Sequence, residues 1–136
     1  MNWNLIVRLS FFGFVMGGLT VSLVPSFMEP IFWVAIYVFC AYVIARRCSE
    51  KYFLNGFMVS MLNSAWITGF HVIFYNTYFN AHPEMDLLYA SLPWSDYPRL
   101  GMIIFAPVFG LLFGTVLGLF SLIASKLMKK PDPRVK

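Results

Sequence analysis

Four long apolar runs, 5–24, 30–45, 52–79 and 100–128, restrict what this chain can become more than any other feature. They are separated by "PSFMEP", "RRCSEK" and the twenty-residue "AHPEMDLLYASLPWSDYPRL". A helix needs about 20 apolar residues to cross a hydrocarbon core of roughly 30 Å. In lipid the backbone must satisfy its own hydrogen bonds, which leaves helices or closed barrels. With 136 residues, 60% hydrophobic and 12% charged, the expectation is one all-α integral membrane domain covering 1–136. It would be a four-helix bundle with the lipid bilayer as its main partner and no room for a soluble catalytic domain.

The charges agree with that division. Arg8, Arg46, Arg47, Lys51, Lys126, Lys129, Lys130, Arg134 and Lys136 fall on one side of a four-span arrangement, and only Arg99 falls on the other. Glu29, Glu84, Asp86 and Asp96 lie on the Arg99 side. The excess of Lys and Arg on one side places both termini in the cytoplasm. Although Arg8 and the run after it resemble a signal peptide, no small-x-small cleavage pattern precedes Pro25, so 5–24 reads as a retained span. The tail 129–136 is polybasic and is expected to attract anionic inner-leaflet lipids; the same charges are a poor basis for nucleic-acid binding.

The spans differ in length. Sixteen residues in 30–45 reach about 24 Å, whereas twenty-eight in 52–79 reach about 42 Å, so the third helix must tilt or stand above the membrane. Pro30 suits a first helical position, where its missing N–H costs nothing.

Two helix faces are built from small residues. In the fourth run Gly110, Gly114 and Gly118 recur four apart, and Pro107, Ser121 and Ser125 continue the face. The first run carries Ser10, Gly13, Gly17 and Thr20. Such stripes allow close backbone approach in lipid. They serve either packing inside the bundle or self-association into a homo-oligomer.

A polar stripe runs along the third span. At 100° per residue, Ser60, Ser64, Thr68, His71, Tyr75, Tyr78 and His82 share a sector of about 80°. Unsatisfied polar groups are costly in lipid, so the stripe is expected to face protein or water. His71 is the sharpest candidate for a site, since intramembrane ionisable residues raise a functional hypothesis. No carboxylate lies inside a span to pair with it, although Glu29 would reach if its turn folds inward. Asn76 and Asn80 point elsewhere, and His82, just before Pro83, is expected to be solvated at the exit from the membrane.

The machinery of catalysis is missing: no G-x-S-x-G, H-E-x-x-H or glycine-rich phosphate loop occurs. The two histidines lie about 16 Å apart along one helix, so one protomer cannot clamp a heme iron with both. No cofactor or metal is expected, and Cys40 and Cys48 fit neither a zinc nor a disulfide framework. In the outer segment, Tyr89, Trp94 and Tyr97 suggest an interfacial aromatic belt, and 86–94 suggests a short amphipathic turn along the headgroups.

The run "FLNGFMVSMLNSAWITGFHVIFYNTYFNAHPEM", followed by a glycine-rich last helix and a lysine tail, resembles the small uncharacterised four-span membrane proteins of Bacteroidetes-type bacteria. That resemblance implies an inner-membrane location and transfers no catalytic residue. Two readings of function follow from the residues. One is a non-enzymatic subunit that assembles with copies of itself or with a membrane partner through its glycine faces. The other is a small transporter or channel whose path follows the polar stripe around His71.

Overall fold

A computed structural model describes residues 1–93 and 95–128. The described residues form six helices and no strands: α1 (Trp3–Thr20), α2 (Glu29–Arg47), α3 (Tyr52–Ile73), α4 (Tyr75–Ala81), α5 (Pro83–Ala90) and α6 (Pro98–Leu127). Of these, α1, α2, α3 and α6 are long and apolar enough to cross a membrane.

The ends of these helices follow from local chemistry. Asn2 caps α1, its side chain accepting the Leu5 N–H at 3.1 Å. Glu29 and Pro30 open α2, and Arg46 and Arg47 close it, a charge order that complements the helix dipole. Between α2 and α3, Lys51 takes the left-handed conformation at φ 54°, which is uncommon for a residue with a side chain. Asn55 braces that turn. Its Nδ2 donates to the Lys51 carbonyl at 2.9 Å, and its Oδ1 accepts the Asn2 N–H at 2.9 Å, tying the start of α1 to the start of α3.

Packing does not follow chain order. α3 sits between α1 and α6, α2 lies mainly against α6, and contact between α1 and α2 is slight. The four long helices meet in one apolar core: Ile6 and Leu9 from α1, Tyr37, Cys40, Ala41 and Ile44 from α2, Val59 from α3 and Leu117 from α6. Large apolar side chains elsewhere, among them Val34 and Val38 on α2 and Leu112 and Phe113 on α6, remain exposed. Such exposed apolar faces are compatible with a membrane protein.

The small-residue stripes explain why α3 is central. A Cβ added at Gly13 would lie 2.5 Å from the Asn63 Cα, and one at Gly17 would lie 2.8 Å from the Phe70 ring, so α1 presses its smooth face on α3. On the other side, Gly110 meets Met61, Gly114 meets Phe57 and Gly118 meets Phe53. Gly56 of α3, outside both stripes, makes the reciprocal approach: its added Cβ would be 2.5 Å from Ser121 Oγ and 2.7 Å from the Leu117 carbonyl. Ser10, Thr20 and Ser121 are buried along the same interfaces and return their hydroxyls to their own helices, to Val7, Gly17 and Leu117.

The long third helix expected over 52–79 is interrupted. It stops at Ile73, Phe74 leaves helical geometry at φ −97° and ψ 35°, and α4 resumes at Tyr75. The remaining long helices extend the expected runs by a few residues or end short of them: α1 closes at Thr20, α2 spans 29–47 and α6 begins at Pro98. The segment after α4 becomes α5, with Leu87 and Leu88 exposed. Trp94 and the basic residues of 129–136 lie outside the described residues.

Candidate functional site

The polar face of α3 is spent residue by residue on different neighbours. Near the end where α1 begins, Ser60 Oγ lies 3.0 Å from the Tyr37 hydroxyl of α2, inside the core. One turn on, Ser64 donates to the Ala106 carbonyl of α6 at 2.7 Å, immediately before Pro107. A groove of about 180 Å³ lies here between α3 and α6. Thr68 is half-buried. At the far end of α3, His71 Nε2 lies 2.9 Å from Thr20 Oγ1 of α1.

Around His71 the rings form a stack. Its imidazole lies 3.9 Å from the Tyr78 ring at 20°, and Tyr78 in turn lies 4.7 Å from the His82 ring at 28°. Seven residues of continuous helix would separate His71 and Tyr78 by about 10.5 Å of rise. The break at Phe74 is what brings Tyr78 back over His71.

His82 is not solvated. It is 2% exposed, enclosed because the 21–28 turn between α1 and α2 folds over it. Its Nδ1 lies 3.0 Å from the Tyr78 carbonyl and its Nε2 3.2 Å from the Val24 carbonyl. Glu29 does come inward, but toward this second histidine: Oε1 is 3.9 Å from His82 Nε2. A second tie joins the same segments, with the Ser26 hydroxyl donating to Glu84 Oε1 at 2.5 Å. That hydrogen bond, helped by one from the residue's own backbone N–H, holds the Glu84 carboxyl below the usual carboxylate range.

Tyr75 leaves the polar face altogether. Its ring packs on Phe79 and lies under the Arg99 guanidinium at 5.1 Å, a cation–π contact. Asn76 and Asn80 are exposed. Among the described residues no group of three His, Cys, Asp or Glu side chains is placed to hold a metal ion. Cys40 is buried in the core and Cys48 lies at the end of α2, both as free thiols.

Two participants carried little signal in the sequence. Asn63 is buried against α1, its Oδ1 accepting the Gly13 N–H at 3.1 Å while its Nδ2 finds no hydrogen-bond partner among the described residues. Asn55 joins two turns 53 residues apart. A lone asparagine on an apolar helix was the only hint in each case. Near Asn55 an open depression of about 450 Å³ is lined by Asn2, Trp3, Arg47, Cys48 and Glu50 among others, at the opposite end of the molecule from the histidines.

The arrangement sets two imidazoles and a phenol in one stack at its histidine end. A relay is another matter, because successive rings His71, Tyr78 and His82 meet face to face rather than through hydrogen bonds. No protein-family model, curated protein or solved structure matches this chain.

Proposed function

We propose that this is a non-enzymatic multi-pass membrane protein that acts as a structural or complex-forming subunit. In this reading α1, α2, α3 and α6 span a bacterial inner membrane with both termini in the cytoplasm. The observation that carries the reading is the dispersal of the α3 polar face: Ser60, Ser64 and His71 are taken up by Tyr37, Ala106 and Thr20 from three different helices. Polar groups used this way hold helices together in lipid and leave no continuous row for a solute to follow.

The orientation rests on the one-sided distribution of Lys and Arg, and the inner-membrane location on the resemblance given above. Since the stripes of α1 and α6 both lie on α3, a homo-oligomer built through them would require helices to be exchanged between copies. Assembly with a membrane partner carries no such demand.

Purified protein in liposomes separates this reading from a transporter or channel centred on His71. The subunit reading expects protons and small solutes to cross no faster than in protein-free liposomes. A wild-type flux that His71→Ala abolishes would overturn it. Mass measurement in detergent addresses the oligomer: a monomer at every protein concentration would remove self-association and leave a heteromeric role.

A further inference from the structure

His82 is built into the fold in a way that distinguishes its charge states. A neutral imidazole has one N–H and one lone pair, whereas an imidazolium has two N–H donors. Both ring nitrogens of His82 face carbonyl oxygens, Tyr78 on one side and Val24 on the other. Neither carbonyl can donate. Either neutral tautomer therefore aims a lone pair at an oxygen, and only the imidazolium satisfies both contacts.

Two further features favour the cation. The Glu29 carboxylate lies 3.9 Å from Nε2, and the face of the Tyr78 ring lies 4.7 Å from the imidazole, where an aromatic quadrupole attracts positive charge. His71 is different. Its Nε2 meets the Thr20 hydroxyl, which can donate or accept, so a neutral ring satisfies that contact.

We propose that His82 is a proton-binding site that latches the α1–α2 turn to the α4–α5 junction. With the proton bound, His82 donates to Tyr78 and Val24 and pairs with Glu29, holding residues 24–29 against 78–84. When the proton leaves to water, one N–H is lost, a lone pair faces a carbonyl, and the pairing with Glu29 goes with it. The junction then keeps the Ser26–Glu84 hydrogen bond and the single N–H that His82 still donates.

The ionisable groups around His82 act in known directions. Glu29 from α2 and Glu84 from α5 favour the cation, and His71 from α3 opposes it only if it too is charged. Tyr78 from α4 offers its ring and its carbonyl. The turn contributes the Val24 carbonyl and the Ser26 hydroxyl, and α6 brings the uncharged Met102 to Tyr78. This latch goes beyond the subunit role and does not depend on it.

The test is nitrogen NMR of histidine-labelled full-length protein in lipid nanodiscs, with backbone hydrogen exchange followed over roughly pH 5 to 8, the range in which histidines titrate. The proposal expects His82 to carry protons on both nitrogens at the acid end. As the second proton leaves, exchange of the amides in 24–29 and 82–84, taken relative to the intrinsic base-catalysed rate at each pH, rises with the same midpoint. Glu29→Gln shifts that midpoint to lower pH, and His82→Gln removes the pH dependence. A His82 ring with one protonated nitrogen throughout would overturn the proposal. So would a titration that leaves exchange at both segments unchanged, or a midpoint that Glu29→Gln does not move.

Discussion

Thr20 Oγ1 and His71 Nε2 lie 2.9 Å apart across the α1–α3 interface, giving the α3 histidine a hydroxyl partner while Glu29, at the start of α2, turns toward His82 instead. Thr20→Val keeps the shape and removes the hydroxyl. Polar contacts between membrane helices are worth about 0.6 kcal/mol on average and up to roughly 1.7, so a loss in that range is expected. Thr20→Ser should retain most of it. Unfolding in bicelles, with wild type beside both variants, reads the difference.

Close backbone approach makes a sharper prediction. At Gly13 an added methyl would lie 2.5 Å from the Asn63 Cα, so the helices themselves must part, whereas at Gly69 an added methyl meets nothing within 4 Å. Gly13→Ala should destabilise by about 1 to 3 kcal/mol, the usual cost of overpacking. Gly69→Ala should be neutral or gain up to about 1 kcal/mol from better helix propensity. Thermal unfolding in one detergent places Gly13→Ala below wild type and Gly69→Ala at or above it if α1 packs on α3 as described.

At the histidine end of the molecule the Ser26–Glu84 contact predicts a pH effect. The Ser26 hydroxyl holds the Glu84 carboxyl below the usual carboxylate range. A carboxyl whose folded value lies below its unfolded one contributes stability above the unfolded value and loses it as pH falls through the folded one. Ser26→Ala should therefore raise the Glu84 titration midpoint and remove its share of the acid-side loss of stability. Carbon NMR of labelled glutamate carboxyls measures the midpoint directly.

How much of this could be read in advance depends on where each signal lives. The four long helices were visible because prolines and charges bound the apolar runs: Pro25 and Pro30, then Arg46 to Lys51, then Pro83 and Pro98. The small-residue faces of α1 and α6 were visible as spacing, but spacing alone did not say that both would lie on α3, nor that Gly56 of α3 would answer the α6 face. The break at Phe74 had no local mark, since no glycine or proline occurs between Gly69 and Pro83. It is tied to the stacking of Tyr78 between two histidines.

His82 shows the same limit from the opposite direction. Proline after histidine at the end of an apolar run reads as an exit into water, and the local reading is reasonable. Burial comes from residues 24–29, more than fifty positions away, folding over the ring. Helical spacing had likewise put Tyr75 on the polar face, whereas the break turns it toward Phe79 and Arg99. Periodicity describes one helix, and each of these departures was decided between helices.

The central claim is that the α3 polar face is closed and dry, and thiol labelling tests it most directly. In a background with Cys40→Ala and Cys48→Ser, single cysteines are introduced as Ser60→Cys, Ser64→Cys and Thr68→Cys, with the exposed Ser91→Cys as control. Each is exposed in liposomes to a small water-soluble reagent on both sides of the membrane. A closed face predicts that Ser91→Cys labels readily while the cysteines at 60, 64 and 68 label far more slowly or not at all. Labelling of all three at rates close to that of the control would mean a water-filled path along α3 and would contradict the account.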